Sequence, residues 1–309
     1  MQQTGRIVLA RHEEKRFGVR YADVGGMSVA YEVVGCGPRI VLTPGGRYPM
    51  DIGGLPELAA SLADLGFSVM RWDRPNCGHS DIAFTHESES ALWAETLAGL
   101  LTVTGFGPAV LVGGSAGSRV AMMTAARHPQ LVSGLYLLWI SGGTFALMNL
   151  GVHYVADCMS VATRAGMPGV ARMRTWREAI TNKPANRDVI LAQDTAQFLA
   201  TMQSWIDHFI PRPESPVPGM EPDDFGRLTM PVTILRSGTA DLHHPPQTAE
   251  DVHELIPHSR LLDPPWGEHE WNERGDDILK GGSPFTSWPG MAAGIAEFVR
   301  SLDERVGSS

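Results

Sequence analysis

Cysteine is scarce in this 309-residue sequence: Cys36, Cys77 and Cys158 lie far apart, with no Cys-x-x-Cys pair. An odd, sparse set of thiols does not build a disulfide framework and fits a reducing compartment. No Cys/His cluster has zinc spacing either. Long apolar runs are missing as well: stretches such as 135–140 fall far short of the ~20 residues of a membrane helix. The opening MQQTGRIVLARHEEKR turns charged before an apolar segment of signal-peptide length develops. Positive charge is in deficit, 25 Lys+Arg against 34 Asp+Glu for a formal net charge of −9. That argues against broad electrostatic binding to nucleic acid or anionic lipid. Gly (34) and Pro (22) stay below the roughly 25–30% of low-complexity chains, and there is no internal repeat. What remains is a soluble, cytoplasmic globular protein with no nucleic-acid or membrane partner.

The chain has 43% hydrophobic residues and enough length for one large domain or two. Strand-like runs at 18–24, 27–34 and 39–43 are separated by Gly-rich turns, and the last ends in Pro44-Gly45-Gly46. Helical spacing at 55–65 stops at Gly66, and a strand at 67–72 precedes the turn-rich stretch from Asp73 to Gly78. A helix at 89–103, a buried strand at 109–112, a helix to about 127 and a strand at 134–140 follow. Short apolar strands alternating with helices imply a mostly parallel sheet flanked by helices, the α/β class, with antiparallel opening strands. From 141 to 224 strand-like runs disappear, and a Pro-rich stretch at 211–219 is too broken for regular structure. The rhythm resumes with strands at 231–236 and 260–262 and helices at 247–255 and 291–302. The expected organisation is therefore one core, 1–140 and 225–309, interrupted by a helical cap at 141–224.

The most informative segment runs strand, then Gly113-Gly114-Ser115-Ala116-Gly117, then helix. This G-x-S-x-G places a serine on a sharp turn where small neighbours let backbones approach. The helix N-terminus beneath offers unpaired N–H groups and a positive dipole end to a developing oxyanion. Ser115 is the candidate nucleophile. It needs a base, and the base an orienting acid, in the chain order Ser, acid, His. Asp241 follows a late strand and His269 follows the next one. Asp263, expected within that last strand, is the rival acid.

The other histidines are expected elsewhere. His243 and His244 stand too near Asp241 in sequence to face it from a different loop, and His79 and His86 precede the nucleophile. His128 reads as a helix-end residue, His153 and His208 fall in the insertion, and His253 and His258 belong to a surface helix. Ala116 is expected to supply one oxyanion amide, and Gly46 the other, with Arg47 as its rival.

The set Pro44-Gly45-Gly46, Asp73 through Ser80, Gly113 through Ser118, Gly238 to Asp241 and Gly267-Glu268-His269 resembles the α/β-hydrolase family. The resemblance spans nearly the whole chain and puts the insertion where that family carries its cap. It implies a Ser115–Asp241–His269 triad without cofactor or metal. Two positions depart from the family habit: Pro44-Gly45 stands for His-Gly, and Glu268-His269 for Gly-His. Ser115 excludes branches that use an aspartate at the elbow. Carboxylesterases or lactonases come first. The Asn76-Cys77-Gly78 turn is similar to prolyl aminopeptidases, although their His-Gly-Gly-Pro-Gly loop is absent. Trp271 close after His269, together with the arginine-bearing cap, looks like the carbon–carbon bond hydrolases of aromatic breakdown. A ligand receptor on the same scaffold is the alternative of a different class.

Phe145, Met148, Met159, Met167, Met173, Trp176, Phe198, Met202 and Trp205 give the insertion its apolar character. They read as cap packing, or more sharply as a pliable apolar pocket for a small apolar substrate. Arg164, Arg172, Arg174, Arg177 and Arg187 read as a solvated face, or as one clamp for a substrate carboxylate. Trp139 is expected on the pocket wall.

Overall fold

The computed structural model describes residues 18–306; the N-terminal stretch read above for a signal peptide lies outside the described residues. Eight strands form one sheet: β1 (Arg20–Val24), β2 (Met27–Gly35), β3 (Arg39–Thr43), β4 (Ser68–Trp72), β5 (Ala109–Gly114), β6 (Val132–Leu138), β7 (Val232–Leu235) and β8 (Arg260–Leu262). Their order is β1-β2-β4-β3-β5-β6-β7-β8. The β1–β2 and β2–β4 pairs are antiparallel and all others parallel, so the mostly parallel α/β expectation holds.

Strand side chains alternate between two cores. Ile40, Leu42, Val69, Val110, Val112, Tyr136 and Leu138 pack on one face with α1 (Leu55–Asp64) and the C-terminal helix Ala292–Val306. Val41, Met70, Leu111, Leu135 and Leu137 pack on the other with α2 (Glu89–Val103) and α3 (Ala116–Arg127). Period-2 alternation between two buried faces explains why the parallel strands read as nearly unbroken apolar runs.

Between β6 and β7 the chain forms α4 (Thr144–Gly151), a π turn at Val152–Ala156, α5 (Asp157–Val170), α6 (Arg177–Asn182), α7 (Ala185–Leu191), α8 (Thr195–Asp207) and α9 (Pro222–Gly226). The expected boundary at 224 falls inside α9. By length and composition the helical run Thr144–Val170 could cross a membrane, with a mean hydropathy of 1.2 in its most apolar window. The short apolar stretches noted in the sequence did not announce it. Gly166 (φ 60) and Pro168 break that run, and its buried Val155, Cys158, Ala162, Met167 and Val170 join the core beneath the cap.

Asn186 ties this helical layer down. Its Oδ1 accepts from the Ile82 N–H (3.0 Å), and its Nδ2 donates to the carbonyls of Ser80 (3.1 Å) and Ala179 (3.0 Å). Arg47 makes a second tie, bonded to Glu89 (2.9 Å) and lying against the Tyr154 and Trp176 rings. After β7 come α10 (Pro246–Leu255), β8, α11 (Glu270–Leu279) and finally α12, the Ala292–Val306 helix. The sequence reading did not anticipate α11.

Candidate active site

Parallel register brings the C-terminal ends of the central strands to one edge: Thr43 lies beside Gly113, Gly114 beside Leu138, and Leu138 beside Leu235. Open α/β sheets bind their ligands at such an edge. The turn after β5 holds Ser115 at φ 56, ψ −117. A left-handed backbone on a non-glycine residue is strained and is retained here by its neighbours. Ser115 N–H is shared between the carbonyls of Leu138 (3.2 Å) and Trp139 (3.0 Å). Gly117 is obligatory, because a Cβ there would lie 2.1 Å from the Thr43 carbonyl oxygen. Gly113 is equally tight, at 2.3 Å from the Gly117 oxygen.

The loop after β3 closes over this turn, with a Cβ on Gly45 coming within 2.8 Å of Ser115 Cβ. Its scaffold is the Asp73–Ser80 segment. Buried Arg74 donates to the carbonyls of Gly45 (3.3 Å) and Tyr48 (3.0 Å), while Asp73 accepts from the N–H groups of Met50 (2.7 Å) and His79 (2.8 Å). Gly46 is at φ 51 and lines the cavity beside Ser115, whereas Arg47 turns its side chain away to Glu89. Among the described residues, the N–H groups of Gly46 and Ala116 donate to no protein acceptor. Both are free for a substrate oxygen, as is the backbone N–H of Arg47.

Ser115 opens into a cavity of about 330 Å³. Its walls include Tyr48, Trp139, Trp271 and Phe285, with Asn149, His153 and Tyr154 from the cap side. Trp139 therefore stands where it was expected. The nine apolar cap residues do not line this cavity: Trp176, Phe198, Met202 and Trp205 are buried in the core beneath the cap, and Phe145 and Met148 are exposed. The five cap arginines are all exposed, the solvated reading.

Asp241 is buried after β7, and its carboxylate is fully engaged. Oδ1 accepts the backbone N–H groups of His243 and His244, both at 3.0 Å. Oδ2 accepts His244 Nδ1–H at 2.8 Å and Arg274 Nη2–H at 3.1 Å. Burial alone would raise the Asp241 carboxyl, but the His244 and Arg274 charges and the His244 hydrogen bond outweigh it and hold the group low. Burial depresses His244 further than its aspartate raises it, so the ring is neutral near pH 7.

His269 is placed differently from the expectation. It caps α11 at an exposed position and is not on the cavity wall. Among the described residues it makes no side-chain hydrogen bond to Asp241, whose oxygens are already taken. The proximity argument against His244 is overturned: the loop need not bring a histidine from elsewhere, because the turn at 241–244 folds one back. Asp241 accepting the N–H groups two and three residues on is an Asx-type turn, the available signal in Asp241-Leu242-His243-His244-Pro245. Asp263 follows β8, is exposed and pairs with Arg236 at 2.9 Å, far from this role. The sequence also did not single out Arg274, which lies over the Trp139 ring (4.0 Å) and the Trp271 ring (4.7 Å), or Ser141, whose hydroxyl is 3.2 Å from Ser115 Oγ. No group of three or more His, Cys, Asp or Glu among the described residues has metal-site geometry.

Residues 39–191 match a family model described as the alpha/beta hydrolase fold. A stretch of 84 residues is 39% identical to a 2-hydroxy-6-oxononadienedioate/2-hydroxy-6-oxononatrienedioate hydrolase of Burkholderia vietnamiensis, covering 27% of this chain and 28% of that protein. Among solved structures, an enol-lactonase from Burkholderia xenovorans LB400 is similar with a TM-score of 0.54 and 20% identity, over 85% of this chain and 97% of that one. An esterase from Rhodococcus sp. ECU1013 is similar with a TM-score of 0.55 and 24% identity, over 92% and 99%.

Proposed function

Because this chain belongs to the α/β-hydrolase fold, we propose that it is a serine hydrolase cleaving a carboxylic ester or lactone of a small, largely apolar substrate. The observation that carries this reading is Ser115, held at φ 56 on the wall of an aromatic-lined cavity beside Gly46. An imidazole oriented by Asp241 takes the Ser115 proton as Oγ bonds to the carbonyl carbon. The carbonyl oxygen becomes an oxyanion, resting on the Gly46 and Ala116 amides. The tetrahedral adduct expels the alkoxide, which takes the proton from the imidazolium. Water then attacks the acyl-serine by the same route, releasing the acid and restoring the hydroxyl. No cofactor or metal enters these steps.

Hydrolysis of a carbon–carbon bond beside a carbonyl is the second reading. It draws on Trp271 in the cavity wall and on the stretch similar to the oxononadienedioate hydrolase. The free thiols Cys36, Cys77 and Cys158 fit a reducing, cytoplasmic setting.

Fluorophosphonate labelling followed by mass mapping tests the nucleophile, and a panel of esters, lactones, dienones and prolyl amides tests the bond. Labelling at Ser115 with multiple turnover of short p-nitrophenyl esters is expected. Full turnover by Ser115→Ala overturns the reading, and stoichiometric ligand binding without turnover points to a receptor.

A further inference from the structure

The cavity beside Ser115 carries three imidazoles, those of His153, His243 and His244, and none of them is His269, the one expected from the sequence. A general base for a serine needs one ring nitrogen tied to a carboxylate and the other free toward the reacting atoms, on a neutral ring. His153 is exposed and has no carboxylate partner among the described residues. His243 Nε2 is occupied, accepting from Asn149 Nδ2 at 2.7 Å. His244 alone has Nδ1 on a buried carboxylate, Asp241 Oδ2 at 2.8 Å, while its Nε2 bonds no protein atom among the described residues.

Its placement relative to the nucleophile is equally constrained. The His244 ring stacks on Trp139, with centroids 6.0 Å apart and planes 21° apart. Trp139 in turn holds the elbow, its carbonyl accepting the Ser115 N–H at 3.0 Å. Two residues on, the Ser141 hydroxyl meets Ser115 Oγ. Base and nucleophile are thus both tied to the 139–141 segment, and both line the same cavity. Pro245 and Pro246 follow at once, and the second opens α10 at its first turn, where a proline's missing N–H is harmless and its fixed φ stiffens the exit from the turn.

We propose that His244, not His269, is the general base, so that acid and base of this hydrolase come from a single turn, three residues apart. This rests on the serine hydrolase reading above and names the group that activates Ser115. Nδ1–H stays with Asp241 while Nε2 takes the Ser115 proton and returns it to the leaving group. The groups facing the ring are Asp241, Arg274 and His243, and burial with the last two keeps it neutral. His269, at the exposed cap of α11, has no part in proton transfer.

The experiment compares His244→Asn, His244→Ala, His269→Ala and Ser115→Ala in the full chain. Each is followed by fluorophosphonate labelling rate, p-nitrophenyl ester turnover and thermal unfolding. Asparagine keeps a donor where Nδ1 stood, so His244→Asn retains the tie to Asp241 and loses only Nε2. The expected result is a loss of at least ~1,000-fold in labelling and turnover for both His244 variants. His244→Asn should unfold near the wild-type temperature, and His269→Ala should stay within about threefold in activity. If His244→Asn restores what His244→Ala loses, the residue is structural and the assignment falls. It falls as well if His269→Ala loses as much as the His244 variants, or if neither histidine matters. A wild type that neither labels at Ser115 nor turns over esters removes the hydrolase reading itself, and this one with it. Labelling at Ser115 that depends on His269 leaves that reading standing and overturns only the choice of base.

Discussion

Arg274 Nη2 donates to Asp241 Oδ2 at 3.1 Å, the same oxygen that receives His244 Nδ1–H at 2.8 Å. The guanidinium lies over Trp139 and Trp271 and reaches Glu270 at 3.7 Å, so one buried cation serves two carboxylates. Removing it would leave Asp241 charged and short of a partner in a site nearly closed to water. Arg274→Met should lower unfolding stability by about 3–5 kcal/mol, the usual cost of breaking a buried pair from one side. Lysine should recover part of that loss, since it keeps the charge without the planar stack. Denaturant unfolding of the three proteins checks the order.

The pH dependence of ester turnover follows from the same cluster. Burial, helped by Arg274 and His243, lowers the His244 pKa from 6.5. The base is active when neutral, so kcat/KM should rise with pH through an acid limb centred below 6.5 and stay level through neutrality. Loss of the Arg274 cation removes one of the groups that oppose protonation, so the limb of Arg274→Met should move to higher pH. A wild-type limb centred above the ordinary histidine value contradicts the assignment of His244.

The elbow glycines make a sharper stability prediction. A Cβ on Gly117 would sit 2.1 Å from the Thr43 carbonyl oxygen, a backbone atom of a central strand that has no side-chain freedom to yield. Gly117→Ala must push β3 from the start of α3. We expect a loss of at least about 2 kcal/mol in unfolding free energy, within the range of overpacking, and a fall in labelling of Ser115. Gly275→Ala on α11 has open space around its Cβ and serves as the control, expected to be neutral or stabilising.

These contrasts mark what was legible in the sequence. The elbow was readable because its chemistry is local: a buried strand, four small residues around Ser115 and a helix leave few conformations. The sheet was readable because 39–43, 109–112 and 260–262 are apolar runs set between turn signals. His244 was not, because positional reasoning looked for a partner from another loop, whereas the Asp241 carboxylate caps two N–H groups and turns the chain back on itself. Nor was α11, a polar helix interrupted by Gly275 whose buried residues are Glu270 and Arg274, so no apolar stripe announced it. The cap methionines and tryptophans were legible as apolar but not as to which way they face. Trp176 and Trp205 pack inward under the cap, and the cavity is walled instead by Tyr48, Trp139, Trp271 and Phe285 of the core with Tyr154 of the cap.

Several polar contacts attach the cap to the core, and Asn186 carries two of them. It is buried on α7, yet its amide bonds the Ile82 N–H and the Ser80 carbonyl, both on the loop that follows β4. Asn186→Ala would strip these partners and leave a buried N–H without an acceptor, at a cost of about 2–4 kcal/mol for the several bonds lost. Because the residue lies outside the cavity beside Ser115, the chemistry itself should survive. KM is therefore expected to change more than kcat, as the helices that supply Asn149, His153 and Tyr154 to the cavity lose their anchor. Limited proteolysis should cut the cap region of Asn186→Ala faster than that of the wild type. Unchanged proteolysis together with unchanged stability would show that the cap is held without Asn186, by contacts such as Lys183 to Asp81 and Ser204 Oγ to the Glu87 carbonyl.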